Sequence, residues 1–414
     1  MMIEYMYGKK RVEGIVMKKK YMAILILCLL GSNCFLAACG VNLEATIPPS
    51  QMKMQKQEML HNDSVEKLEE VAVIQTQPVS TPQPTPLVTA TPAPTLQDVV
   101  TITISATGDC SLGNHQQQDY SLSFNQAYEQ EGGPGYFFQN VKEIFAADDM
   151  TIVNLEGVLT ESDNAEPGRA YNIKGHPSYA GILTSGSVEA VSMGNNHRQD
   201  YGQQGTKDTE AALDVEGILY AYDKNVAIYE NKGIRIGYLS VNEIAWGYGV
   251  EDLITEGIEK LKAENVDLLF VACHWGTERE YYPEAYQLQL GKKCIDMGAD
   301  LVIGHHPHVL QGIEEYKGKI ILHSLGNFCF GANRSPSDKD TMIYQQTFTF
   351  VDGEKQDTLD AKVIPCSISS VDNRNNFQPT PLQGEERLRV IEKLNTYSAD
   401  LGITVSKEGK VEKQ

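Results

Sequence analysis

Six short segments carry side chains that could do chemistry together: Gly108-Asp109, Asn154-Leu155-Glu156, Asn195-Asn196-His197 with Asp200 just beyond, His274-Trp275-Gly276-Thr277-Glu278, Gly304-His305-His306-Pro307-His308, and Ser324-Leu325-Gly326-Asn327. Five of the nine histidines (His197, His274, His305, His306, His308) fall in three of them. Carboxylate, imidazole and amide oxygen in one place form a ligand set for Mn, Fe or Zn, as one ion or two, rather than an all-oxygen calcium cage. Taken singly, each segment has a plainer reading. A Gly-Asp after a strand is a common turn, and a lone His274 could be a hydrogen-bonded core histidine. His306-Pro307-His308 is harder to dismiss, because proline fixes the backbone between two imidazoles.

The elements that must position these segments can be read beside them. Val100, Ile102 and Ile104 alternate with Thr101, Thr103 and Ser105, a strand pattern that runs into Gly108-Asp109. Further apolar runs predict strands at 150–153, 190–193, 234–241, 268–273, 301–303 and 320–323. Helical stretches are predicted at 205–216, 256–264 and 283–297. Alternation of this kind predicts a layered α/β fold. In open α/β sheets the ligand crevice lies beyond the carboxyl ends of the strands, where six runs here deliver Asp, Glu, Asn and His. Toward the C-terminus, 347–351 and 361–364 read as two strands that could pair. A helix is predicted over 384–397, and 407–414 reads as a frayed tail.

The 414 residues are 41% hydrophobic and 22% charged, so a sizeable core needs no disulfide staples. A net charge of −20 argues against nucleic acid as a partner, since phosphates require a basic footprint. Cys110, Cys273, Cys294, Cys329 and Cys366 are odd in number, scattered and without CxxC spacing, which is no disulfide framework. At the N-terminus, Met17-Lys18-Lys19-Lys20 precedes an apolar run and then Leu36-Ala37-Ala38-Cys39. This reads as a secretory signal over 1–38, with Met17 as a plausible true start. Its end resembles a lipobox, implying lipidation of Cys39 and a lipid-anchored, extracytoplasmic location at the cell membrane. Loss of 1–38 removes six basic and two acidic side chains, moving the charge from −20 to −24, so the lipid and not the polypeptide would hold the membrane. Residues 39–98, with Pro78, Pro82, Pro84, Pro86, Pro92 and Pro94 among Thr, Gln, Ser and Ala, read as an extended linker. The folded domain is placed at 99–385, with a C-terminal helix and tail at 386–414.

In order and spacing, the six segments resemble those of bacterial capsule synthesis proteins of the CapA, or poly-γ-glutamate (PGA_cap), family. The resemblance spans roughly residues 102–381 and includes Asp200-Tyr201-Gly202, Val309-Leu310-Gln311 and Phe328. That family looks like a branch of the calcineurin-like metallophosphoesterases, which implies a metallophosphatase-like α/β sandwich of two sheets flanked by helices. Carried over by position, the resemblance makes Asp109 and His308 ligands of a first divalent metal and Glu156 a bridge to a second. Asn196, His274 and His306 complete the second. It makes His197 the general acid, with Asp200 as its orienting partner, and puts Arg198, Glu278 and Asn327 among the substrate-binding groups. This chain departs from the superfamily's Asp-x-His first motif, which here reads Asp109-Cys110-Ser111. Gly194 stands where the family usually has Ala, a change expected to be tolerated.

The function implied is surface-anchored participation in capsule or poly-γ-glutamate synthesis or export, with the anionic polymer or its synthesis machinery as partner. Arg169, Lys174, Arg198 and Arg279 are basic residues that could bind polymer carboxylates. Two other readings compete: a metal-dependent hydrolase of an envelope phosphate ester or amide, and a non-catalytic polymer-binding scaffold. The missing first-motif histidine weighs against turnover, and the number of retained ligand-type residues weighs against scaffolding.

Overall fold

The computed structural model describes residues 97–414. The segments expected to be signal and linker, with Cys39, lie outside the described residues except for the last two linker positions. Among the described residues, no helix is long and apolar enough to cross a membrane.

Two mixed sheets face each other. In the larger, Val99–Ser111 sits centrally, with Met150–Leu155, Ala190–Ser192 and Leu219–Ala221 following in parallel on one side. On its other side lie the antiparallel strands Asp340–Val351 and Asp360–Ser367, while Asn327–Phe330 pairs with its carboxyl end in parallel. The second sheet has six strands. Its parallel centre is Ile234–Asn242, Leu268–His274, Leu301–His305 and Lys319–Leu322.

Period-two patterning explains the layers. Ile102, Ile104 and Ala106 of the first sheet are fully buried against Ile236, Tyr238, Phe270, Ala272 and Ile303 of the second. The opposite face of the second sheet packs on Leu253, Ile254, Ile258 and Leu261 of the Val250–Ala263 helix, and on Leu290 and Cys294 of the Ala285–Asp296 helix. Each such aliphatic side chain contributes about 1.5–3 kcal/mol when withdrawn from water. The Ala285–Asp296 helix starts at Glu284, which forms a capping box with Gln287. The Gly202–Glu216 helix ends at Gly217, whose φ of 70° is the left-handed cap that glycine adopts without strain. The result is the metallophosphatase-like α/β sandwich of two sheets with flanking helices.

The predicted strand positions hold, but several strands run one or two residues further, so that Leu155, His274 and His305 are strand-terminal rather than loop residues. The two C-terminal strands do pair, from Asp340↔Ser367 to Thr347↔Asp360. The tail is the correction. Val411–Lys413 pairs antiparallel with Ile403–Val405, and Val405 and Val411 are buried against the main core. Three-residue strands are too short to show periodicity, so their order comes from docking on the Gly384–Tyr397 helix and its neighbours.

Candidate metal centre

Strand pairing sets the register of the site. Asp109 lies beside Asn154 on one side and Asn327 on the other, so three of the six segments meet within a single sheet. Gly108 makes the approach possible, since a Cβ there would run into the Gly326 carbonyl. Gly194 meets a similar limit, because a Cβ would lie 2.7 Å from the Val241 nitrogen. Ser240 fills the space there, and its hydroxyl accepts from the Gly194 N–H at 3.0 Å.

Asp109 is wholly buried and saturated with donors. Its Oδ1 accepts from Asn154 Nδ2 at 2.8 Å and lies 3.3 Å from His305 Nδ1, while its Oδ2 is 3.1 Å from His308 Nδ1. Burial would raise its pKa, but the contacts with His305 and His308 outweigh that and hold the carboxyl well below its ordinary value.

Glu156 is the opposite case. It too is wholly buried, yet neither carboxylate oxygen has a hydrogen-bond partner among the described residues. Three imidazole nitrogens surround its Oε1: His308 Nε2 at 3.6 Å, and His197 Nε2 and His274 Nε2 each at 3.8 Å. These separations are too long for hydrogen bonds. The His308 and His274 separations are those expected of ligands that each reach about 2.0–2.2 Å to a cation shared with Glu156. Burial pushes the Glu156 pKa up to about 7 and that of His306 down to about 4, with the neighbouring His308 adding to the latter. A wholly buried carboxylate with no hydrogen-bond partner among the described residues, ringed by imidazole nitrogens beyond hydrogen-bond reach, fits a divalent cation.

Two ligand groups emerge around that carboxylate: Asp109, Glu156 and His308 in one, and Glu156, His274 and His306 in the other. Asn196 Oδ1 lies 3.0 Å from His274 Nε2 and so stands with the second group. Glu278, expected to touch substrate, groups with His306 and His308 and is itself a potential ligand. His306 and His308 both adopt positive φ, 97° and 57°. Such backbone costs about 1–3 kcal/mol per residue and survives only where surroundings impose it, commonly at ligand sites.

His197 is held by a relay. Its Nδ1 lies 2.7 Å from Asp200 Oδ2, and Asp200 is fixed in turn by Arg169 at 3.0 Å and by the Ile173 N–H at 2.6 Å. Burial would lower the His197 pKa, but the Asp200 bond and the Glu156 charge outweigh it and raise the value. The remaining nitrogen is left facing Glu156 and the open cleft.

Two expected residues sit differently from the others. Asn327 spends its amide on His308, accepting from Nδ1 at 3.0 Å and donating to the carbonyl at 3.2 Å, so it orients that ring while also lining the cleft. Arg198 is paired with Asp223 at 2.7 Å, stacked 4.3 Å from the Tyr222 ring, and lines a separate hollow behind Asn196. Asn154, Asn195 and His305 were present in the recognised segments but had no assigned role. Asn195 donates to Asn154 Oδ1 at 3.2 Å and to the Leu155 carbonyl at 2.8 Å, which fixes the amide that holds Asp109. Their signal was adjacency to ligand residues, which cannot tell a ligand from its support. Ser111, in place of the first-motif histidine, is fully buried with its hydroxyl unpartnered among the described residues.

With this geometry in hand, comparison with known proteins places the chain. Over 249 residues it is 29% identical to the PGA biosynthesis protein CapA of Bacillus subtilis, covering 55% of this chain and 63% of that one. Over 269 residues it is 29% identical to the capsule biosynthesis protein CapA of Bacillus anthracis, covering 59% of this chain and 63% of that one. The chain thus spans less than two thirds of the length of these curated relatives. A crystal structure of a hypothetical protein from Thermus thermophilus aligns with a TM-score of 0.37 at 16% identity, over 64% of this chain and 99% of that one. The profile of the bacterial capsule synthesis protein PGA_cap matches residues 103–332, a span that holds every ligand-type residue described above. By that match, over more than half its length, the chain belongs to the bacterial capsule synthesis protein family PGA_cap.

Proposed function

We propose that this protein is a lipid-anchored, extracytoplasmic participant in the synthesis or export of a capsule polymer of the poly-γ-glutamate kind, working through a metal-dependent, phosphoesterase-like site. The observation that carries the reading is Glu156: a wholly buried carboxylate without a hydrogen-bond donor among the described residues, ringed by three imidazole nitrogens at 3.6–3.8 Å. Family membership and the two CapA relatives support the polymer. The Leu36-Ala37-Ala38-Cys39 sequence supports the anchor.

A bound divalent ion, or a pair, supplies Lewis acidity and activation of a nucleophile. Asp109, Glu156, Asn196, His274, His306 and His308 are the residues that would hold it. The chain's own part is orientation and proton transfer. Asp200 binds one nitrogen of His197 and so presents the other to the cleft, where it can give a proton to a leaving oxygen or nitrogen. The Asp200 hydrogen bond favours the protonated form of that ring.

The test is metal content of the full chain beside a His274→Ala/His306→Ala variant. Mn, Fe or Zn should copurify with the first and be absent from the second. A folded wild-type chain that takes up none of these ions when offered them would sink the metalloenzyme reading. Intact mass of the same membrane-extracted protein reads the anchor: lipidated Cys39 at the N-terminus is expected, and an unmodified or longer N-terminus overturns it.

A further inference from the structure

Resting on that reading and deepening it, we infer that the cleft beside the metal-ligand cluster recognises a chain of repeated carboxylates and amides, with Arg279 and Arg334 clamping the carboxylates and Gln118 reading an amide. A cavity of about 480 Å³ is lined both by Glu156, His197 and His308 and by Gln118, Arg279 and Arg334. That volume suits a short segment of a polymer rather than a large folded partner.

Arg169 is bound to Asp200, Lys174 to Asp163 at 2.9 Å, and Arg198 to Asp223. Their charge is already committed. Arg279 has no ion pair among the described residues and lies in the cleft lining. Its φ of 65° is strained, and its N–H donates to the Pro307 carbonyl at 2.8 Å, between the two histidines of the ligand turn. The turn that holds the ligands thus also fixes this arginine.

Arg334 was not singled out from sequence. One guanidinium nitrogen donates to the Ser121 carbonyl at 2.6 Å, which leaves most of its donors for a ligand. Its loop is pinned by Asn375, whose N–H donates to the Arg334 carbonyl at 3.0 Å and whose side chain donates to the Phe330 carbonyl at 2.7 Å. An arginine so held loses little freedom on binding a carboxylate through both nitrogens.

Gln118 supplies the second half of the specificity. Both its amide nitrogen and oxygen are buried with no partner among the described residues, and it lines the same cavity. Each unmet group costs about 1–3 kcal/mol, so a ligand offering both an acceptor and a donor is favoured. A backbone amide is such a group. The acidic groups in the lining do not cancel the clamp. Asp338 is bound to Lys393 at 2.6 Å, Glu278 stands with the metal-ligating histidines, and Asp119 is an exposed carboxylate. A γ-linked oligoglutamate carries one carboxylate and one amide per repeat. A polyphosphate would use the arginines and accept from Gln118 Nε2, but offers no donor to Gln118 Oε1.

Calorimetric titration of the metal-loaded full chain with γ-linked pentaglutamate tests this, with a polyacrylate of equal carboxylate number and tripolyphosphate as the comparison ligands. Arg279→Gln and Arg334→Gln should each weaken pentaglutamate about tenfold or more, with partial rescue by Lys. Gln118→Leu should reduce pentaglutamate affinity to that of polyacrylate. Metal content and melting temperature should match wild type in all three variants. Wild-type affinity for pentaglutamate in both arginine variants, no binding by wild type, or a wild-type preference for tripolyphosphate would each overturn the inference. Arginine-dependent binding by a chain that holds no metal would sustain the clamp while the metal reading fell.

Discussion

The Met150–Leu155 and Ala190–Ser192 strands start beside half-buried acids, Asp148 and Glu189, and the first of them ends beside the wholly buried Glu156; the two ends treat their acids differently. At the amino ends, Glu189 accepts from the Thr151 N–H at 2.7 Å and Asp148 accepts from the Thr151 hydroxyl at 2.8 Å. Burial pushes these carboxyls up to about 7 and about 6, and no cation or imidazole pairs with either among the described residues. At the carboxyl ends, Glu156 is pushed up to about 7 by the same cause, but its oxygens meet no N–H at all and face imidazoles instead. A carboxyl pKa raised by desolvation is therefore not by itself the mark of a site. The amino-end acids close strand starts by taking backbone or hydroxyl donors, whereas Glu156 is left with only ligand-type neighbours.

The largest effect is expected at Glu156. Glu156→Gln should abolish copurifying metal, a larger loss than the roughly 10–100-fold expected from removing an outer hydrogen-bond partner of a ligand. Elemental analysis checks this, with circular dichroism showing the fold retained. Metal retained at wild-type level would place Glu156 with the structural acids. A smaller effect is expected one step out. His197→Ala should lower turnover of an alkyl phosphodiester or γ-glutamyl amide by about 10²–10⁴-fold with metal content unchanged, as for loss of a general acid. Asp200→Asn should cost less, because the imidazole remains. Equal rates for wild type and His197→Ala would remove the proton-transfer role.

The smallest effect belongs to the amino end. The folded pKa of Glu189, about 7, lies above the ordinary 4.5, so the native state holds this proton more tightly than the unfolded chain does. Its contribution is fully present below about pH 4.5 and is lost as pH rises toward 7. Partial exposure trims the effect to roughly 1–2 kcal/mol. Urea midpoints at pH 5 and pH 7.5 should differ less in Glu189→Gln than in wild type. An unchanged difference would mean that Glu189 ionises as freely as in the unfolded chain.

Much of the site was legible because its chemistry sits immediately after apolar strands. Asp109, Glu156, Asn196, His274, His306 and His308 could each be singled out from residue type and position, and the strands that carry them from alternation or apolar runs. Gly384–Tyr397 could be read as a helix, and the 360s strand as a partner for the 340s, for the same local reasons. What escaped was whatever depends on a neighbour distant in sequence. Arg198 and Arg279 look alike in the sequence, yet one meets Asp223 and the other lines the cleft unpaired among the described residues. Gln118 and Arg334 lie in segments without periodicity, so nothing local marks them.

The residue order alone determined which side chains stand at the carboxyl ends of the strands, because strand length and alternation are set within a few residues of chain. It also determined the signal-like N-terminus and the proline-rich stretch after it, which are compositional. Only the tertiary structure decided which acid keeps its oxygens free, which arginine keeps its charge, and that the last residues pair as a hairpin. Those outcomes depend on donors and apolar surface brought together across long stretches of chain, as the Arg334–Ser121 bond shows at a separation of 213. A residue's type states what it can bind, and the fold decides whether a partner has already taken it.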